Sequence, residues 1–382
     1  MQQSWSVLDR VFACRCKRPV FFRNSQCIGC ASQLGYEPEL GKMFALVPAN
    51  GENTFRLAGA RTRALYRRCE NFTSPAACNW IVPVGNSQSA PKLCVSCRLN
   101  RTIPDLSKAE NATWWGRIEL AKRRVISSLV AMGLPVCSRA TEDPQNGLAF
   151  DLLRSVPGGP RVMTGHDNGV ITLNVEEADD AKREQIRLQM HEPYRTLVGH
   201  FRHEVGHYYW DRLVAGSTWL EGYRELFGDE RADYGAALRK HHQQGPPSGW
   251  SRTFVSAYAS SHPWEDWAET WAHYMHMRDT LGTAASFGLN SSIAGLQIDP
   301  FPKTALHDPD EAGAEDFLNF LNSWVELTTV LNELSRSMGQ LDFYPFALPV
   351  KAVAKLHFVH RVVTSRQEQC APALRAATGS AE

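Results

Sequence analysis

Apolar residues recur at intervals of three and four over several stretches of the chain, and each such stretch predicts a helix with one buried face. The clearest begins at Thr113, where Trp115, Ile118, Ala121, Val125, Ile126, Leu129 and Val130 share a face; Gly133 and Pro135 stop it. Residues 170–175 alternate apolar and polar side chains and predict a strand, entered through a turn over 165–169. A run of acidic and basic residues over 176–187 opens another helix. Further helices are predicted over 194–214, 230–241, 265–278 and 316–338, with a loop at 245–249. Pro345 and Pro349 break the chain before an amphipathic segment over 350–364 and a polar tail over 366–382. No internal repeat is present.

The residues before Thr113 have a different character. Eight of the ten cysteines precede Arg98, and this asymmetry draws a boundary near residue 105, with Arg98 to Asp105 as a connector. Cys14 and Cys16 are followed by the knuckle of Cys27 and Cys30; Cys69 and Cys78 are followed by that of Cys94 and Cys97. Eight thiolates suffice for two tetrahedral zinc sites. Sequential pairing would set Cys14, Cys16, Cys27 and Cys30 on one ion and Cys69, Cys78, Cys94 and Cys97 on the other; the spacing also permits a cross-braced arrangement. Cys137 and Cys370 stand alone. The first twelve residues lack an apolar signal core, and no stretch approaches 18 consecutive apolar residues, so neither export by a standard signal nor a membrane span is indicated. The expected compartment is the reducing cytoplasm, where clustered cysteines serve as metal ligands. A net charge of +1 argues against a large polybasic nucleic-acid surface, although Arg61, Arg63, Arg67 and Arg68 form a small cluster.

Within the predicted helix 194–214 lies His203-Glu204-Val205-Gly206-His207. Side chains four apart on a helix diverge by about 40°, so His203 and His207 can grip one metal ion. Glu204 points about 100° from His203, beside such an ion, where it can take a proton from water without ligating. The ordinary alternative is a surface helix with two histidines. The flanking Leu197, Val198, Phe201, Tyr208, Tyr209 and Trp210 argue for burial, and buried His and Glu require partners.

A catalytic zinc takes three protein ligands. No third histidine follows at short spacing, which leaves a carboxylate on a second helix. Glu265 is preferred: Pro263 suits a helix start, and Glu269 lies one turn on, placed to orient a metal-bound histidine. Glu230 is the reserve ligand, with Asp229 and Asp233 in a supporting network. Tyr258, seven residues before Glu265, is the candidate donor to a developing oxyanion. His200 could approach the metal but reads better as a packed histidine, and His191, His262, His273 and His276 as structural.

Taken together, the run from Leu197 through Leu213, the segment from Phe227 to Glu230, the segment from Tyr258 to His273 and the run from Thr164 to Asn174 resemble the bacterial zinc-binding metallopeptidases that carry an N-terminal zinc ribbon. The resemblance spans roughly Val11 to Val363. The spacing of Tyr258, Glu265 and Glu269 is similar to that of lethal-factor-like gluzincins, which implies a zinc-ligand role for Glu265 and transition-state stabilisation by Tyr258. The expected fold is α+β: a zinc-ribbon module over 1–105 and a mostly helical, zincin-like metallopeptidase domain over 106–365. Strand 170–175 is the expected edge strand along the cleft. The expected reaction is hydrolysis of a peptide or protein substrate with Glu204 as general base, one catalytic zinc and two structural zincs. Two rivals remain. One is an adaptor whose ribbon recognises protein or nucleic acid around a structural central zinc, a site that would not require Glu204. The other is a peptidase whose ribbon gates the cleft.

Overall fold

The computed structural model describes residues 9–85, 91–156, 158–189, 192–289 and 300–378, with side chains through 365; His191 and the side chain of Cys370 lie outside the described residues. Strands β1 (Val11–Ala13) and β2 (Pro19–Phe21) form a hairpin around the first cysteine pair. There Lys17 takes a positive φ of 66° and its N–H donates to the Cys14 carbonyl at 2.7 Å. Strands β3 (Leu34–Glu37), β4 (Lys42–Pro48), β5 (Thr54–Leu57), β6 (Tyr66–Arg68) and β7 (Ile81–Pro83) follow as an antiparallel meander in sequence order. Aromatic rings join hairpin and meander: Phe22 meets Tyr36 edge-on at 4.8 Å, and Tyr36 meets Trp80 at 5.0 Å. A separate cluster of Leu46, Phe55, Leu57, Tyr66 and Ile81 forms a second apolar core in the meander.

The expected connector contains β8 (Asn100–Thr102), which joins the next sheet. That sheet also holds β9 (Ala149–Leu153), β10 (Gly165–Asp167) and β11 (Val170–Asn174) in the order β10-β11-β9-β8. The predicted strand is therefore flanked on both sides. Its turn, with Asn168 and Gly169 at positive φ, folds β10 back on it in antiparallel pairing, so β10 and not β11 is the edge. The sequence expectation missed this because Gly165–Asp167 was read as part of the turn. It also missed β9, an apolar stretch with no alternation because its first four residues are buried.

Helix α1 (Ala109–Ala131) packs against this sheet's domain and against the ribbon. After α2 (Asp180–Gln189) come α3 (Leu197–Leu213), α4 (Leu220–Phe227), α5 (Tyr234–Gln244), α6 (Pro263–Ser286), α7 (Ala314–Ser337) and α8 (Val350–Thr378). Helix α8 thus runs on past residue 364. Helices α3 and α6 form the central pair. Their backbones approach at Gly206, where an added Cβ would sit 3.1 Å from Ala268 Cα and 3.2 Å from Trp271 Cδ1. The Trp267 indole N–H donates to the Gly206 carbonyl at 2.9 Å, and Tyr209 stacks on Trp271 at 5.1 Å.

The ribbon is fastened to these helices by buried polar groups. Arg10 donates to Ser127 and Ser128 of α1 at 2.9 and 3.0 Å, and Ser128 donates to Asp279 of α6 at 2.6 Å. Arg202 of α3 closes the network on Asp279 at 2.6 Å. Burial alone would raise the Asp279 carboxyl; Arg202 and Arg10 outweigh it and hold the pKa down at about 2. One hydrophobic core runs unbroken from Phe12 to Val363.

Candidate metal centre and active site

Thr196 caps α3 by accepting from the Gly199 N–H at 3.0 Å, and the helix carries His203 and His207 on one face. At the start of α6, His262 accepts from the Trp264 N–H at 3.1 Å and Pro263 occupies the first turn. That cap brings Glu265 under α3. His203 Nε2 lies 3.2 Å from His207 Nε2 and 3.0 Å from Glu265 Oε2, and His207 Nε2 lies 3.5 Å from the same oxygen. Tetrahedral zinc with bonds of about 2.05 Å requires its ligand atoms to be about 3.3 Å apart, so this triangle fits the ion. Glu265 Oε2 is buried with no hydrogen bond, an orphan acceptor that a cation would satisfy. Burial pushes the Glu265 carboxyl up, yet the two imidazoles hold it well below the usual range.

The cysteines gather in the two sequential sets, each with its sulfurs within 4.8 Å of one another. Cys14 and Cys30 are 3.6 Å apart, Cys16 and Cys27 3.7 Å, and Cys78 and Cys94 3.6 Å. These separations are far too long for disulfides and match the roughly 3.8 Å edge of a zinc–thiolate tetrahedron. In the first set Cys16 is exposed and Cys30 half-buried; in the second all four are buried. Burial lowers the Arg123 pKa, but negative charge on Cys78, Glu119, Cys97 and Cys94 outweighs it, so a cation from α1 faces the second set.

Residues 111–362 match the family described as "Putative zinc-binding metallo-peptidase", and residues 11–108 match a zinc-ribbon domain. The chain belongs to this metallopeptidase family. Relatives 44% identical over 356 residues, covering 93% of this chain and 95% of their own, include uncharacterized proteins of Mycobacterium tuberculosis (strain H37Rv) and Mycobacterium bovis. No solved structure matches. Peptides or proteins are the substrate class that family membership gives this metallopeptidase, with zinc as its metal. Among the described residues, no helix is long and apolar enough to cross a membrane.

Around the triangle stands a second layer of polar groups. Glu269 Oε1 lies 2.7 Å from His203 Nδ1, and the Ser256 hydroxyl donates to Glu269 Oε2 at 2.6 Å. The Tyr234 hydroxyl donates to Glu265 Oε1 at 2.5 Å. Glu204 is buried, which raises its carboxyl above the usual range against the pull of His203 and His207. The Tyr258 ring lies 5.9 Å from that of His203; burial, then the Glu265 charge, push its hydroxyl pKa well up, so it stays a hydrogen-bond donor.

Other candidates stand apart from the triangle. Glu230 is held by Arg224 at 3.0 Å, Asp229 by Arg231 at 2.7 Å, and Asp233 caps α5. His273 pairs with the Tyr344 hydroxyl at 2.5 Å, and His276 packs on Trp324 and Tyr344. His200 is not among the three clustered donors, and burial pushes its pKa down to about 4. Sequence reasoning missed three neighbours of the site. Tyr234 sat in the acidic segment searched only for carboxylates, and Ser256 carried no spacing signal. His166 of β10 was hidden in the turn. It stacks at 6.3 Å on the His207 ring, and burial, then the His207 charge, hold its pKa down at about 3. Its Nε2 accepts from the Gly169 N–H at 2.9 Å.

Proposed function

We propose that this protein is a gluzincin-type zinc peptidase in which His203, His207 and Glu265 hold one catalytic ion and the eight ribbon cysteines hold two structural ions. The observation that carries this reading is the donor triangle of 3.0, 3.2 and 3.5 Å, built from two histidines four apart on α3 and a glutamate 58 positions beyond the second on α6, with the buried Glu204 beside it. A zinc ion held there would polarise a carbonyl and acidify water. Glu204, with its raised pKa, takes a proton from the attacking water and returns it to the leaving amine. Tyr258, kept protonated, donates to the oxyanion of the addition step. Glu269 accepts from His203 Nδ1 and so fixes the tautomer that leaves Nε2 free. Ser256 holds Glu269 in turn.

Substrate pairs along β10, the free edge beside His207. The close pairing of Asp167 with Val170 across a two-residue turn directs the N–H and C=O of His166 outward, where an extended peptide can add as a further strand. A cytoplasmic setting, reducing enough to keep eight thiolates free, suits the ribbon. Incubation of the purified zinc protein with a peptide library, read by mass spectrometry for new termini, tests the activity. Cleavage that disappears in Glu204→Gln supports the reading; cleavage unaffected by that substitution assigns the activity to a contaminant or to another site.

A further inference from the structure

The helix that carries Tyr234 is attached unlike any other around the site. Helix α5 buries none of its residues. Apart from Gly235, its partly covered positions, Ala237, Leu238 and His241, follow Tyr234 at the i+3, i+4 and i+7 spacing of one face, and His241 reaches the Tyr258 ring at 6.0 Å. Among the described residues, no side-chain hydrogen bond or ion pair ties residues 235–244 to another element. The segment is bounded by Gly228 and Gly245, at φ 103° and 74°, conformations that suit glycine. The firm contacts are at its start. Tyr234 meets Trp264 edge-on at 5.8 Å and donates to Glu265, while His262 Nε2 lies 3.1 Å from the Ala232 carbonyl.

Tyr234 divides the two oxygens of Glu265. Oε1 accepts the phenol; Oε2, with no hydrogen bond, faces His203 and His207. A free carboxylate could rotate or present both oxygens to a metal; with the phenol on Oε1 it presents one. We propose that Tyr234 is a positioning residue that sets Glu265 for one-oxygen metal ligation, and that the same bond latches α5 as a lid over the cleft. This rests on the reading of Glu265 as a metal ligand. Because coupling between two sites is reciprocal, a metal that draws Oε2 into place also strengthens the seat of Tyr234 and pins α5.

The test has two readouts that do not depend on turnover. The first is affinity for the third metal by competition with a chromophoric chelator, with cobalt(II) spectra as a report of ligand geometry. The second is hydrogen exchange of the 234–244 backbone, with and without that metal. Far-UV circular dichroism and retention of the thiolate-bound zincs establish that variants are folded. Tyr234→Phe is expected to weaken the third metal about tenfold, shift the cobalt spectrum and abolish the metal-dependent protection of α5 seen in the wild type. Wild-type affinity and spectrum in Tyr234→Phe, or exchange in wild-type α5 that ignores the metal, would overturn the latch. Glu265→Ala separates the two readings: if it also leaves the affinity unchanged, the ligand assignment fails and the latch with it.

Discussion

The thiolate sets and the His–Glu triangle are built by opposite rules. Each thiolate set closes its polyhedron with four sulfurs, and the second is sealed between ribbon and α1. The triangle offers three donors, so an ion held there would keep a position for a small molecule, and groups with raised or depressed pKa values surround it. A closed polyhedron stores folding energy, whereas an open one with a buried carboxylate beside it does chemistry. The two thiolate sets differ from each other as well. Both contribute to the main core, but the first leaves Cys16 in solvent and Cys30 half-buried, whereas the second exposes none of its cysteines.

Substitutions sharpen this contrast in descending order of effect. Glu204→Gln should lower kcat on a cleaved peptide by about 10²–10⁴-fold while all bound zinc is retained, since it removes a proton acceptor and not a ligand. Cys94→Ser, within the sealed set, should release one zinc and destabilise the whole chain by about 4 kcal/mol, read by denaturant titration. Cys16→Ser should release its zinc to a chelator while the helical region melts almost as in the wild type. Equal losses from the two would erase the distinction between the sets. Gly206→Ala should cost about 1–2 kcal/mol and separate α3 from α6, weakening the triangle but neither thiolate set.

The smallest effect is one of pH. Asp279 has a folded pKa of about 2, below its unfolded value near 3.9, so its contribution is present above pH 4 and is lost as pH falls toward 2. Stability measured over that window should fall by about 2 kcal/mol more in the wild type than in Asp279→Asn. Parallel curves would show that the Arg10–Asp279–Arg202 joint adds nothing.

The reach of the sequence follows from what each signal encodes. His203, Glu204 and His207 are legible because helix geometry alone brings them together. Glu265 was reachable through the capping signal of Pro263 and the one-turn spacing to Glu269. The sheet was read less well: β9 is buried on both faces and β8 is three residues long, so neither shows a period of two. The β10 edge was lost because its turn and strand share the same five residues. Tyr234 and Ser256 act through single hydrogen bonds across 31 and 13 positions, which no local pattern records.

Zinc content by elemental analysis, with the His203→Ala/His207→Ala double variant and Glu265→Ala compared against the wild type, tests the central claim most directly. The account predicts about three zinc ions per chain in the wild type and one fewer in each of the others, with both thiolate-bound ions retained. If both variants keep every zinc, no metal sits between α3 and α6, and the peptidase mechanism built on that triangle is contradicted.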